Sequence, residues 1–216
     1  MFFLNHSRAI LNPMNEKELV SRARAGDFDA FTELINAHKD RLYGLALKLS
    51  GNRQDAEDIL QETFLKAIDK IDQFREEATF GTWLYSIALN QARGHYTRQK
   101  QDDLKPLEEY LPAGDHHADH AAAEHTLFNW EDPHTIMESA ELSEIIQRLI
   151  SELPYKYREA FLLRYIEELP VKEVARLINE TEAAAKSRIL RARLALREEL
   201  AKIFEGTNER EMPGLH

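Results

Sequence analysis

The chain has 216 residues, 43% of them hydrophobic, which is enough for one large core or two small ones. It contains no cysteine, which excludes disulfides and thiolate metal sites, and no apolar run approaches the roughly 20 residues that span a bilayer. The net charge of −10 argues against tight binding to free DNA by the chain alone, because phosphate neutralisation supplies most non-specific affinity. We expect a cytoplasmic protein.

The N-terminal part predicts an unstructured extension followed by two helices. Residues 1–13 have too short an apolar stretch for a signal peptide, and the sequence leaves open whether translation starts at Met1 or Met14. Residues 16–25 predict a short helix that ends at Gly26. Asp27 or Asp29 can cap the next helix, which the apolar spacing extends to Gly51.

A further helix is predicted from Asn52 to Ile71, and its polar side is acidic. One face carries apolar residues at helical spacing, and the opposite face carries a group that we name the acidic stripe: Asp55, Asp58, Glu62 and Asp69. A solvated helix face and a docking surface for a basic partner both fit this pattern.

The next helix, predicted from about Thr79 to Lys100, has two different faces. Phe80, Trp83, Leu84 and Ile87 are expected to pack inward. On another face rings alternate with cations, at Tyr85, Arg93, Tyr96 and Lys100. This alternation suits a single nucleic-acid strand, whose bases stack on rings while cations follow its backbone. An ordinary core helix with surface tyrosine and arginine is the alternative.

Residues 99–140 predict a flexible acidic linker. They contain ten acidic residues and five of the nine histidines, and their net charge is −8, against −1 for residues 1–98 and +1 for residues 141–204. His116 and His120 stand four residues apart, beside Asp115, Asp119 and His117, so metal binding is an alternative to simple solvation. We favour solvation and expect no metal or other cofactor.

The C-terminal part predicts a helix-turn-helix. A helix resumes at Met137, a second runs from Pro154 to near Glu168, and a third covers residues 171–178. The turn Asn179–Glu180–Thr181 is short, and asparagine tolerates the left-handed conformation while threonine can cap the following helix. We therefore expect three packed helices before a basic one.

The basic helix, predicted over residues 183–197, contains five cations and no acid. Its apolar face is expected to pack on the other helices through Ala185, Ile189, Ala192 and Leu196. Ser187, Arg188 and Arg191 lie roughly opposite, where guanidinium groups can reach guanine or phosphate. A solvated basic face is the alternative interpretation.

Several segments, taken together, resemble the extracytoplasmic-function group of bacterial sigma factors. They are DAEDILQETFLKAI (55–68), FREEATFGTWLYSIALNQAR (74–93), LPYKYREAFLLRYIEELPVKEVARLI (153–178) and KSRILRAR (186–193). The resemblance implies an all-α protein with two helical domains, sigma region 2 over residues 14–98 and sigma region 4 over residues 139–204. A flexible acidic linker (99–138) joins them, with an extension (1–13) and a tail (205–216).

The resemblance also implies partners and sites, and no catalysis. Core RNA polymerase, through its β and β′ subunits, is expected to contact Asp55, Asp58 and Glu62. Contacts with the −10 element of promoter DNA, and its opening, are expected at Phe74, Phe80, Tyr85, Asn90, Arg93 and Tyr96. Contacts with the −35 element are expected at Ala184, Lys186, Ser187, Arg188 and Arg191. An anti-sigma factor, often membrane-bound in this group, is an expected partner in a stress or envelope response.

Two other functional classes were weighed against this one. A dimeric helix-turn-helix regulator would act without core polymerase and bind a palindrome on its own. A metal-dependent hydrolase built on the histidine cluster is disfavoured, because no second group of carboxylates and histidines accompanies it elsewhere in the chain.

Overall fold

A computed structural model describes residues 13–99 and 140–208, and all regular structure within those ranges is helical. The chain divides into two compact units, one holding residues 13–99 and the other residues 140–208. The prediction of an all-α protein with two helical domains is therefore confirmed. Most of the predicted extension, linker and tail, including the histidine cluster, lies outside the described residues, so the predicted domain boundaries stay predictions.

Four α-helices form the described part of the first unit: α1 (Pro13–Arg24), α2 (Phe28–Ser50), α3 (Arg53–Lys70) and α4 (Phe80–Gln99), with a 3-10 turn at Ile71–Gln73. Of the two candidate caps for α2, Asp27 and not Asp29 accepts the Ala30 N–H, at 3.0 Å. The Asn52 side chain likewise accepts the Asp55 N–H at 2.8 Å and begins α3. The predicted helix starts thus follow from side-chain caps.

The first core is built from one apolar face of each helix. Large side chains that are almost completely buried come from all four helices: Leu19, Val20, Leu34, Leu42, Leu45, Leu49, Ile59, Phe80, Leu84 and Leu89. α4 packs against both α2 and α3. Burial of such side chains is worth about 1.5–3 kcal/mol each, so packing rather than helix propensity holds the unit together.

The N-terminus of α4 is anchored to α1 and α2 by a polar contact. Glu16 Oε1 accepts the Phe80 N–H at 3.0 Å, and Glu16 Oε2 lies 3.6 Å from His38 Nε2. The nearby imidazole of His38 lowers the pKa of the Glu16 carboxyl below its ordinary value of 4.5, and the Phe80 N–H acts in the same direction. The imidazole also packs against the Phe80 ring, with centroids 5.8 Å apart. α4 therefore starts at a fixed position on the other helices.

The second unit contains α5 (Ala140–Glu152), α6 (Tyr155–Phe161), α7 (Val171–Leu177) and α8 (Glu182–Asn208), and α6 continues as a π-helical turn at Leu162–Ile166. The helix predicted to reach Glu168 ends earlier, because Glu168 adopts a φ of 57° and Leu169 precedes a proline. α8 is longer than predicted. Its apolar face continues beyond Arg197 through Leu200, which is buried.

A buried cation closes the end of α5. Arg158 is only 7% exposed, yet its guanidinium donates to the Leu153 carbonyl at 3.0 Å and to the Ser151 carbonyl at 2.5 Å. The last carbonyls of a helix lack intrahelical partners and carry partial negative charge, so a cation is favourable there. Arg158 thus ties α6 to the C-terminal end of α5.

The turn between α7 and α8 has the predicted helix-turn-helix geometry. Asn179 adopts a φ of 56°, and its N–H donates to the Arg176 carbonyl at 3.2 Å. The Glu180 N–H donates to the Ala175 carbonyl at 2.9 Å. Together these two bonds form a Schellman motif. The Thr181 hydroxyl then accepts the Ala184 N–H at 3.1 Å, which confirms threonine as the cap of α8.

None of the described helices is long and apolar enough to cross a membrane.

The two glycines of α4 should respond in opposite ways to alanine. A Cβ at Gly81 would stand 2.9 Å from His38 Cε1, whereas a Cβ at Gly94 meets nothing within 4 Å. We expect Gly94→Ala to raise the free energy of unfolding by about 0.5–1 kcal/mol, through helix propensity. Gly81→Ala should lower it by about 1–3 kcal/mol, because the anchored imidazole must move.

Urea denaturation followed by Trp83 fluorescence measures both changes. A Trp130→Phe background removes the only other tryptophan. Equal gains from the two alanines would show that His38 does not restrict position 81.

The anchor of α4 should also make stability depend on pH. Because the Glu16 pKa is lowered in the folded state, its ionised carboxyl adds stability above its ordinary pKa of 4.5, and that stability is lost as pH falls through the lower folded value. Glu16→Gln keeps the acceptor for Phe80 N–H but cannot ionise. The difference in unfolding free energy between wild type and Glu16→Gln should therefore be constant above about pH 5 and shrink below it. A difference independent of pH down to about pH 3 would contradict this.

Candidate protein and nucleic-acid interfaces

The acidic stripe lies on α3, but its members are not equally available. Asp55 is half-buried and accepts a hydrogen bond from Asn52 Nδ2 at 2.5 Å. Glu62 Oε1 lies 3.6 Å from His95 Nε2 on α4. Asp58 is exposed, and no hydrogen bond or ion pair joins it to the described residues. Asp58 and Asp69, which is likewise exposed, are therefore the members whose carboxylates are most available to a basic partner.

An exposed leucine borders the acidic stripe. Leu65 is 58% exposed, and at about 100° per residue it falls between Asp58 and Gln61 around the helix, within about 60° of Glu62. Ile68 beside it is 38% exposed. The sequence prediction missed both residues, although their positions outside the apolar face of α3 were a usable signal. This side of α3 is thus mixed, with exposed apolar residues beside the carboxylates.

Polar contacts join this face of α3 to α4. Besides the approach of Glu62 to His95, Lys66 Nζ donates to Gln91 Oε1 at 2.8 Å. Gln91 is buried, so its amide is held in place by this bond and by the surrounding core. The acidic stripe and the outer face of α4 therefore belong to one packed body.

Three of the residues predicted to contact the −10 element are buried in the structure of the first unit. Phe80 is 0%, Phe74 5% and Tyr85 6% exposed. The Phe74 ring lies 5.7 Å from the Phe80 ring and 5.3 Å from the Trp83 ring, centroid to centroid. The Phe74 and Phe80 rings thus belong to an aromatic cluster beneath α4, whereas Tyr85 is buried on another side of the helix.

The other three predicted residues lie outside that cluster. Asn90 is exposed and accepts a hydrogen bond from Arg93 Nη1 at 3.2 Å, while Arg93 and Tyr96 are half-buried. Trp83, which was predicted to point inward, is half-buried on the same side of α4 as Asn90. The accessible face of α4 thus contains one indole, one amide and one guanidinium within about three turns.

α8 divides as predicted into a packed face and a basic face. Ala185, Ile189, Ala192 and Leu196 are all buried, which confirms the predicted inward face. On the other side Lys186 and Arg191 are exposed, and Ala184, Ser187 and Arg188 are half-buried. All five predicted DNA-contacting residues therefore lie outside the buried face of one helix.

Two of the arginines have partners from neighbouring elements. Arg191 Nη1 lies at hydrogen-bonding distance from the Tyr157 hydroxyl of α6, 3.5 Å away. Arg188 Nη2 forms an ion pair with Glu180 Oε1 in the turn before α8. These contacts limit how far each guanidinium can move. Within the described residues, no cluster of three or more carboxylates and histidines could hold a metal ion.

The comparisons with known proteins identify the two units separately. Residues 34–101 match the family Sigma-70 region 2, and residues 143–196 match Sigma-70, region 4. The acidic stripe and α4 fall in the first match, and the helix-turn-helix falls in the second.

Whole-chain relatives agree with those matches. The ECF RNA polymerase sigma factor SigW of Bacillus subtilis is 36% identical over 184 residues, which cover 85% of this chain and 96% of that protein. The RNA polymerase sigma-H factor of Pseudomonas aeruginosa is 31% identical over 87% of this chain and 94% of that protein.

Solved structures share the fold. CnrH in complex with the cytosolic domain of CnrY is similar with a TM-score of 0.60 and 23% identity, covering 87% of this chain and 98% of that one. The sigma factor RpoE in complex with the anti-sigma factor NepR, from Bartonella quintana, is similar with a TM-score of 0.53 and 21% identity, covering 79% of this chain and 96% of that one.

Proposed function

The chain belongs to the extracytoplasmic-function group of RNA polymerase sigma factors, and from this membership we propose that it directs core polymerase to promoters with defined −35 and −10 elements and helps to open the DNA. Sigma factors are transcription initiation factors and not enzymes, so selectivity arises from binding alone. The observation that carries the proposal is the presence of both sigma regions, each with an accessible face that matches its task.

The mixed face of α3 suits a protein partner with a basic, partly apolar surface. Asp58 supplies an available carboxylate, and Leu65 beside it supplies an exposed apolar side chain. Interfaces of this kind combine a desolvated apolar contact with surrounding charges that guide and orient the partner. We assign this face to core polymerase, with Asp55 and Glu62 at its border.

The accessible face of α4 suits the −10 element. Trp83 offers a half-exposed ring for a base, Asn90 an amide for a base edge, and Arg93 a cation for the strand backbone. Stacking is worth about 1–3 kcal/mol per base, which is comparable with the cost of unstacking one from the duplex. Strand opening is thus favourable only when the rest of the complex is already bound.

α8 suits the −35 element as a recognition helix in the major groove. Its packed face holds it against α5, α6 and α7, and its first turns present Lys186, Ser187, Arg188 and Arg191. Ala184 adds no bulk at the start of the helix, so base edges can approach closely.

The biological setting follows from the same membership. We propose a role in a stress or envelope response, in the cytoplasm where polymerase acts, with an anti-sigma factor as inhibitor. The similar structure of RpoE was solved with the anti-sigma factor NepR, which supports this kind of partner.

Transcription in vitro tests the proposal directly. Purified chain and bacterial core RNA polymerase are incubated with a pool of genomic promoter fragments, and transcripts are mapped. Start sites that require the chain and share two upstream elements are expected. A palindromic site bound by the chain without polymerase would instead favour the dimeric regulator.

Charge reversal at Asp58 should weaken association with core polymerase. Asp58→Lys places a cation opposite the proposed basic partner, so we expect the affinity to fall about tenfold or more. Glu33→Lys, an equally exposed reversal on α2, is the matched control. Affinity is measured by fluorescence anisotropy with labelled chain, and a circular dichroism spectrum verifies folding. If both variants lose affinity equally, the effect comes from the net charge of the chain and not from the position of Asp58.

Removal of Arg191 should weaken promoter binding by the holoenzyme. Arg191→Ala is expected to cost about 1–3 kcal/mol, through lost contacts with base or phosphate. Since Arg191 also approaches the Tyr157 hydroxyl, Tyr157→Phe serves as the control that removes only the contact within the protein. Binding is measured with a −35-containing fragment. If Arg191→Ala binds the fragment as tightly as wild type, the Arg191 side chain does not contact DNA.

A further inference from the structure

The turn before α8 carries a carboxylate that pairs with one of the arginines of the recognition helix. Glu180 Oε1 and Arg188 Nη2 form a hydrogen-bonded ion pair across eight residues of sequence. The two side chains are 34% and 24% exposed, so the pair lies at the surface without being fully solvated. An isolated surface ion pair contributes little to the stability of the fold. Its effect is therefore to be sought in how it orients the Arg188 side chain.

Both ends of the pair are anchored by the backbone. Glu180 is the residue whose N–H closes the Schellman motif on the Ala175 carbonyl, so its Cα cannot move independently of α7. Arg188 lies between Ala185 and Ile189, both buried, so its Cα is fixed to the core of the second unit. The orientation of the guanidinium is therefore set by two rigid elements.

The pair leaves most of the guanidinium available. The group has five N–H donors in a planar fork, and the contact with Glu180 engages only Nη2. Nε and Nη1 of Arg188 have no protein partner within the described residues. The second hydrogen of Nη2, together with that of Nε or of Nη1, can still form a planar fork that matches the paired acceptors of a guanine edge, whereas a phosphate can be reached from many orientations.

We propose that Glu180 is a specificity-determining residue of this sigma factor: it holds Arg188 in the orientation that reads a base edge of the −35 element, and its charge opposes contact with phosphates. This inference rests on the proposed role of α8 in reading that element. Glu180 acts through Arg188, as a positioning residue. In its absence Arg188 swings freely and binds phosphates of any sequence.

A matched control stands two residues away. Glu182 lies in the first turn of α8, is exposed, and has no hydrogen bond or ion pair with the described residues. Glu182→Ala therefore removes the same charge from nearly the same place without releasing Arg188. A general electrostatic effect would be equal in the two variants, and a positioning effect would not.

The experiment uses the holoenzyme and two DNA fragments. One is a promoter fragment that the wild-type holoenzyme selects from a genomic pool, and the other is the same fragment with its −35 element scrambled. The ratio of the two dissociation constants measures discrimination. We expect Glu180→Ala to lower this ratio about 5- to 10-fold, at the lower end of what one bidentate base contact provides. Glu182→Ala should tighten binding to both fragments and leave the ratio unchanged. Glu180→Gln keeps a hydrogen-bond acceptor on a side chain of the same length, so its ratio should lie between those of wild type and Glu180→Ala.

An Arg188→Ala background completes the test. If Glu180 acts through Arg188, adding Glu180→Ala there leaves the ratio unchanged. The inference is overturned if Glu180→Ala and Glu182→Ala give the same ratio, or if Glu180→Ala lowers the ratio equally in both backgrounds. Should circular dichroism show that Glu180→Ala is unfolded, Glu180→Gln decides by the same criteria. If the wild-type holoenzyme has a ratio near one, α8 does not read the −35 element, and this inference fails with that proposal. If the wild-type ratio is high and Glu180→Ala does not change it, only this inference fails.

Discussion

Each side chain on a helix either packs against the rest of the protein or remains accessible to partners, and this division determines which residues of the protein can bind. α8 buries the narrow face that contains Ala185, Ile189, Ala192 and Leu196, which leaves more than half of its surface for DNA. α4 packs against both α2 and α3 and is buried over a much wider arc. Only the side of α4 around Asn90 is left for a partner.

The polar contacts inside each unit serve to fix where these faces point. Glu16 holds the first turn of α4, and Arg158 fixes α6 to the end of α5. Each contact satisfies backbone groups that a helix end would otherwise leave without a partner. Apolar packing supplies most of the stability, but it tolerates small slides and rotations that directed hydrogen bonds do not. A binding face built on such helices is accordingly presented in one orientation.

The sequence predicted the fold well because its signals are local. The Asp27 cap, which was one of two candidates, and the left-handed Asn179 each act within a few residues, and the structure has them where expected. The burial of Tyr85, in contrast, could not be predicted from its neighbours in the sequence. An apolar stripe of about 100° would leave it exposed, but α4 is covered by two neighbouring helices, and Tyr85 shares the second covered side with Leu89 and Ala92. Such a wide arc is a tertiary property.

The contacts among side chains were likewise beyond the sequence. Arg188 was predicted to contact DNA, and no partner within the protein was predicted for it. The Schellman turn places Glu180 beside it, across two turns of α8.

Acidic residues beside the proposed recognition helix are consistent with a sigma factor that depends on core polymerase for most of its affinity for DNA. A regulator that acts alone needs phosphate contacts for affinity, and each carboxylate near the groove weakens them. When core polymerase supplies the non-specific affinity for DNA, the sigma factor needs only to make the binding free energy differ between promoter and other sequences. A carboxylate such as Glu180 then costs little affinity, while a restrained guanidinium loses much of its affinity for wrong sites. The overall charge of −10 and the neutral balance of the second unit are both consistent with selection for discrimination over strength.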